Sequence, residues 1–411
     1  MQSTFWKEQE KPKARTPVVL NWGLGVESTA ILVRWLTEPQ SRNFELSNLI
    51  VLTAMLGDEW PSTIKMAERY ILPLLRIYQI RYVQIARFGH YEKDGIKILS
   101  DSRETHFLHS TGSYKLSKEL LANGTVPTWK PHSRKCSSKH KGFPCDTWLD
   151  KEFGFHPFHH AIGFNAQEID RVHKDSSYTL NKRSPRYPLV DWDWSREKAA
   201  EFLFQKLGVH WKKSACVFCP FSNGKPEVLQ RYIEEPEALE IALQIEFVSL
   251  ALNPNMALFP SGSLRDAIMK IDPNLVQKTF EAMTKKPWIL YRVQRIKNSK
   301  NVMRKVTHIA YGSYSEMHAK LLEMAETHNL QITTEANIPR IYVERRGECS
   351  NLEDMFVCAP ACVQEKARPG FDTAWNNACN PMSLFCDKRV PFTLLFSKSN
   401  HRRLEHIRFR V

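Results

Sequence analysis

Two thiols three positions apart in Cys216-Val217-Phe218-Cys219-Pro220 can turn onto one metal ion. Upstream, Cys136 and Cys145 lie in a basic stretch and could complete a set of four soft ligands, suited equally to zinc or to an iron–sulfur cluster. Packing as small buried hydrophobes is the alternative for all four. A second chemical signal is Asn21-Trp22-Gly23-Leu24-Gly25-Val26-Glu27-Ser28-Thr29, a glycine loop between an apolar run and a helix-forming run. Such a loop presents backbone N–H groups at a positive helix end, where an anion binds, and glycine lets the anion approach closely. It has neither the Walker ending nor the dinucleotide spacing, so on spacing alone a packing turn competes with a phosphate site.

Charged pairs add to the list. Asp58 and Glu59 follow a second apolar run; they could bind Mg²⁺ beside nucleotide phosphates, or simply favour a helix N-terminus. Glu168 and Arg171 fall on one face of a helix, where the acid orients the guanidinium or forms a surface salt bridge. Arg183 and Arg186 precede Pro188-Leu189-Val190-Asp191-Trp192, and Lys139 follows Cys136 closely.

These residues need a scaffold that presents loops from one edge. Segments 17–22, 49–54, 82–88 and 159–164 read as buried strands, and 29–37, 61–78, 195–207 and 227–252 as helices. Strand, glycine loop and helix, followed by further alternation, predict an α/β fold with a doubly wound, mostly parallel sheet. Residues 90–128 read as a polar loop region. The organisation expected is a basic arm over 1–16, a catalytic domain over 17–272 and a smaller basic α+β domain over 273–411.

Composition sets the limits. The 411 residues include 58 Lys or Arg against 44 Asp or Glu, a formal charge of +14, with 42% hydrophobic residues. That is an ordinary globular composition, too long for one core, which excludes disorder and a collagen-like chain. Apolar runs such as 50–56 are far too short to span a bilayer, so no membrane partner is expected. The nine cysteines do not suggest a secreted disulfide scaffold, and a reducing cytoplasm is expected. Between Glu281 and Ala310 there are eight Lys or Arg residues against one acid, and 130–151 and the C-terminus carry further basic clusters. Clusters of this kind suit a nucleic-acid backbone, or a surface beside a polyanionic nucleotide.

Five segments, in order, resemble the PP-loop ATP pyrophosphatases. The likeness is greatest to a phage and bacterial branch described as phosphoadenosine phosphosulfate (PAPS) reductase-like and related to DNA phosphorothioation and tRNA-thiolation enzymes. They are the glycine loop, Thr53-Ala54-Met55-Leu56-Gly57-Asp58-Glu59, Arg134-Lys135-Cys136 with Cys216-Val217-Phe218-Cys219-Pro220, Gly163 to Arg171, and Arg183 to Trp192. Leu24 stands where the pattern has glycine, and Glu27 where many relatives have Asp. The resemblance implies an adenine nucleotide α-hydrolase-like fold that binds ATP. Gly23, Gly25, Glu27, Ser28 and Thr29 would lie at the phosphates, the backbone of Thr53 to Met55 at the adenine, and Asp58 and Glu59 on Mg²⁺. Arg183 and Arg186 would face the nucleotide, and Arg171, Lys139 and Glu168 would serve catalysis near the α-phosphate. Cys136, Cys216 and Cys219 would hold a 4Fe-4S cluster or Zn²⁺, either as three ligands that leave one iron open to bind sulfide or with Cys145 as a fourth in a structural or electron-carrying site. The implied activity is ATP-dependent adenylation with pyrophosphate release, then sulfur transfer to tRNA or DNA, with a sulfur-donor protein such as a cysteine desulfurase as partner. Two alternatives are a sulfonucleotide reductase, for which Cys349 is a partial echo of the family's cysteine motif, and an ATP-gated nucleic-acid-binding component of a phage or anti-phage system. Residues 273–411 carry no resemblance.

Overall fold

In the computed structural model, residues 16–110, 114–129, 135–178, 182–297, 302–347 and 351–379 are described. Cys349, Cys386 and the basic C-terminal cluster lie outside them. The apolar runs form β1 (Val18–Asn21), β2 (Leu49–Ala54) and β3 (Arg81–Arg87), followed by β4 (Ile96–Ser102), β5 (Phe158–Ala161) and β6 (Arg183–Arg186). Their order in the sheet is β4-β3-β2-β1-β5-β6. All pairs are parallel except β3 with β4, so the α/β expectation stands as a mixed, mostly parallel six-stranded sheet.

Alternation along each strand divides the core between the two faces. Val18, Leu20, Leu49, Val51 and Tyr82 face the helices Val26–Thr37 and Arg196–Leu207. Val19, Ile50, Leu52, Val83 and Ile85 face Trp148, Leu149 and Phe153 of the helix Phe143–Phe153.

Two expectations need correction. The expected loop region 90–128 contains β4 and the helix Leu116–Asn123; β4 is a half-exposed edge strand, so its apolar signal is diluted by Lys97, Ser100 and Asp101. The helix expected over 227–252 is two helices, Pro226–Glu234 and Pro236–Leu252, because Pro236 cannot continue the first but suits the opening turn of the second. The helix expected over 61–78 is continuous but widens by a π-type turn at Ala67–Ile71, just before Pro73, which has no N–H to donate.

A second sheet follows: β7 (Trp288–Lys297), β8 (Val302–Gly312), β9 (Ile332–Glu335), β10 (Ile338–Glu344), β11 (Leu352–Pro360) and β12 (Lys366–Ala367), ordered β12-β8-β7-β11-β10-β9. It is antiparallel throughout. Helix Tyr314–Thr327 covers one face through Met317 and Leu321. The last turns of Pro236–Leu252 cover the other, from Val248 to Leu252, while its first turns, Ala238 to Ile245, join a core with Trp60, Val217 and Phe218. One helix thus contributes to the packing of both parts, on the N-terminal side of the boundary expected at 272.

Candidate nucleotide crevice and cysteine cavity

From the central strand β1 the chain builds outward through β2 and β3 on one side, and later through β5 and β6 on the other. The loops that leave the carboxyl ends of β1 and β5 therefore diverge, and such a switch point is where open α/β sheets bind ligands. The glycine loop lies there. Gly23 is exposed and a Cβ on it would meet nothing within 4 Å among the described residues, whereas a Cβ on Gly25 would come 2.9 Å from Ser214 Oγ. Leu24 adopts a left-handed conformation at φ 59°, the conformation glycine takes most readily, and its carbonyl accepts from Trp211 Nε1 at 3.0 Å. The helix Val26–Thr37 begins without a side-chain cap.

The polar side chains expected at the phosphates instead stabilise this turn from behind. Ser28 Oγ accepts from Gly23 N at 3.2 Å, and Thr29 Oγ1 accepts from Trp22 Nε1 at 2.9 Å. Glu27 is ion-paired with Arg196 at 2.7 Å. Buried Thr53 donates to the Trp22 carbonyl at 2.7 Å, and Met55 N donates to Ile85 O at 2.8 Å.

Asp58 and Glu59 also have structural duties. Asp58 Oδ2 accepts from Ser117 N at 2.8 Å in the first turn of Leu116–Asn123, and burial raises its pKa. Glu59 accepts from Leu56 N at 2.7 Å and Gly57 N at 3.0 Å, and burial likewise raises its pKa. The same loop reaches the cysteine segment, since Val217 N donates to Asp58 O at 2.9 Å and Glu59 bridges Cys216. Both carboxylates expected to hold Mg²⁺ are thus engaged by backbone N–H groups of this loop and of the helix Leu116–Asn123.

Cys136, Cys216 and Cys219 come together at the edge of one core, where each influences the ionisation of another. The Cys216 thiol, hydrogen-bonded to Cys219, lowers the Cys219 pKa to about 6 against the opposing effect of burial, helped by the Phe221 N–H, Lys213 and Lys141. Cys216 itself is pushed well above the usual thiol range by that bond and by burial. Cys145 is elsewhere: it packs against the sheet with Val19, Ile50 and Trp148, and burial raises its pKa to about 12. The turns between residues 135 and 153 direct Cys136 and Cys145 into different cores. Among the described residues, no group of three or more His, Cys, Asp or Glu is placed to hold a metal ion. Neither a three-cysteine nor a four-cysteine cluster therefore fits this arrangement.

The remaining candidates separate. Arg171 and Glu168 pair beside the loop that follows β5, with the Arg171 guanidinium 4.2 Å over the Phe164 ring, which in turn stacks on Tyr187 at 5.9 Å. Arg183 is buried against Asp175 at 2.6 Å and donates to His160 Nδ1 at 2.8 Å. Arg186 approaches His159 at 3.2 Å and lines a groove with Val18, Trp35 and Arg42, at the opposite end of β1 from the glycine loop. Arg183 and Arg186 are thus not brought to the nucleotide crevice.

Lys139 joins a cluster that the sequence did not reveal. Its ammonium lies 2.5 Å from Glu119, which also accepts from Tyr114 OH at 2.7 Å and lies 3.4 Å from His140 and 3.9 Å from Arg87. Burial opposes ionisation of Glu119, but hydrogen bonds from His140, Lys139 and Tyr114 outweigh it and hold its pKa well below the usual carboxylate range. No spacing rule joins residues 87, 114, 119 and 139; the fold alone brings them together.

The basic stretch 281–310 is largely engaged within the fold. Arg292 pairs with Asp354 at 2.6 Å, and Arg295 with Glu353 and the Leu252 carbonyl. Arg304 donates to Asn123 O at 2.5 Å, and Lys305 pairs with Asp372 at 2.7 Å. No helix among the described residues is long and apolar enough to cross a membrane. Comparison with known proteins finds no match: no family model, no curated protein and no solved structure.

Proposed function

We propose that the chain is an ATP-dependent adenylating enzyme of the PP-loop, PAPS reductase-like kind, with its nucleotide seated in the crevice between the loops that follow β1 and β5. A substrate oxygen attacks the α-phosphorus, pyrophosphate leaves, and a sulfur or nitrogen nucleophile then displaces AMP. The doubly wound topology belongs to the same reading. One observation carries it: an exposed glycine, Gly23, with open space above it, precedes an uncapped helix N-terminus at the switch point of a mostly parallel sheet. Backbone N–H groups of that turn would take charge on the departing pyrophosphate, and Arg171, held over Phe164 after β5, would take charge near the α-phosphate. Sulfur transfer to tRNA or DNA is the finer reading. It draws less support from 281–310 than the charge count suggests, because Arg292, Arg295, Arg304 and Lys305 are already paired.

Gly23 also provides the test. Its φ is not in the left-handed region and its Cβ space is empty, so Gly23→Ala should fold like the parent. The added methyl occupies the volume assigned to phosphate. Calorimetric ATP affinity should fall by about tenfold or more, the equivalent of roughly 1.4 kcal/mol. Equal ATP binding by parent and variant, or none by the parent, overturns the reading.

A further inference from the structure

The three-cysteine arrangement that does not fit a metal cluster lies beside a cavity of ≈ 370 Å³ whose lining includes Trp60, Lys213, Cys216, Val217, Cys219 and Arg231. Both thiols of the C-x-x-C segment are on its wall. Cys219 is partly exposed and Cys216 is buried behind it, an order that suits one attacking and one resolving thiol. The segment is held rigidly: Cys219 N donates to Cys216 O at 3.1 Å, and the Cys219 carbonyl accepts from Ser222 N at 3.1 Å and Ser222 Oγ at 2.7 Å. Beneath it, Tyr232 OH donates to the Val217 carbonyl. Lys212 and Lys213 stand at the same wall. A cavity of this size admits a small molecule rather than a protein loop.

We propose that Cys219 and Cys216 form a dithiol that reduces a small-molecule disulfide entering this cavity. The Cys219 thiolate attacks one sulfur of the substrate R–S–S–R, giving Cys219–S–S–R and expelling the first thiolate, R–S⁻. Cys216 passes its proton to the departing first thiolate and attacks Cys219 Sγ, forming the Cys216–Cys219 disulfide and expelling the second thiolate, which takes a proton from water. Two electrons pass from the dithiol to the substrate, which leaves as two thiols. An external small-molecule dithiol returns the pair to the reduced state. No nucleotide takes part in these steps, so the activity stands apart from adenylation.

The test uses the full chain, purified anaerobically without nucleotide and equilibrated with mixtures of reduced and oxidised glutathione. Thiols are then alkylated and mapped by mass spectrometry. Expected is a reversible disulfide linking Cys216 to Cys219 in the wild-type chain, which needs no variant and so does not depend on a variant's folding. Cys216→Ser should trap glutathione on Cys219, and Cys219→Ser should lose both products. The proposal is overturned if the two thiols stay reduced across the series, if glutathione is captured on Cys136 instead, or if the purified chain carries stoichiometric zinc or iron on these cysteines. Because ATP is absent throughout, failure of nucleotide binding leaves this result unaffected.

Discussion

A Cβ atom at position 163 would fall 2.9 Å from the Ser28 backbone nitrogen. The loop after β5 and the first turn of the helix after β1 are therefore in backbone contact at the base of the crevice. Backbone cannot step aside as a side-chain tip can, so Gly163→Ala should cost about 1–3 kcal/mol in urea unfolding. It should also weaken ATP binding by displacing the glycine loop. Gly25→Ala is the control, because the atom it meets at 2.9 Å is the Ser214 hydroxyl, which can rotate. Its stability cost should be the smaller of the two, and an equal or larger cost would show that the backbone at Ser28 yields readily.

Arg295 separates charge that builds the fold from charge that could meet a partner. Its side chain is 7% exposed, pairs with Glu353, and donates to the carbonyl of Leu252, the last residue of Pro236–Leu252. Arg295→Met would leave Glu353 unpaired and a helix end uncapped, and should cost about 3–5 kcal/mol. Lys285 and Lys297 are exposed. Replacing both by Gln should leave the urea midpoint nearly unchanged. If these lysines meet nucleic acid, the slope of log affinity against log salt should fall by about 0.9 for each duplex phosphate that is no longer neutralised. An unchanged slope with a tRNA and a DNA duplex would remove Lys285 and Lys297 as nucleic-acid contacts.

Buried strands were the most legible part of the sequence. β2 matches its expected limits because Leu49 to Leu52 is a continuous apolar run, as suits a strand covered on both faces, and Thr53 and Ala54 extend it. β4 escaped because Ile98 is half exposed on an edge strand and polar residues interrupt the run. At the site, the loop–helix unit is legible from its glycines; Cys136, Cys216 and Cys219 share one core, but among the described residues they are not placed as a metal-holding group. Cys145 was not separable from them by spacing, since only the turns between residues 135 and 153 send it to the other core. Nor could a charge count tell an arginine that caps a carbonyl, such as Arg304, from one that faces solvent.

His160 supplies a pH signature of the sheet beside the crevice. It is 3% exposed, its Nδ1 accepts from Arg183 Nε at 2.8 Å, and its Nε2 has no partner among the described residues. Burial, reinforced by the Arg183 charge, lowers its pKa from 6.5 to about 3. Below pH 6.5 the unfolded chain takes up a proton that the folded chain refuses until about pH 3, so acid favours unfolding over that interval. The stability contributed by neutral His160 is thus fully present above pH 6.5 and declines as the pH falls toward 3, a change on the order of a few kcal/mol. His160→Gln keeps an oxygen that can accept from Arg183 but does not titrate. Its urea midpoint should therefore fall less between pH 7 and pH 4 than that of the parent. Asp146 and Asp175, the acids near Arg183, are present in both proteins, so the difference between the two curves isolates the histidine. Parallel curves would mean that His160 gains its proton while Arg183 stays in place beside it, and that burial at this position does not resist charge.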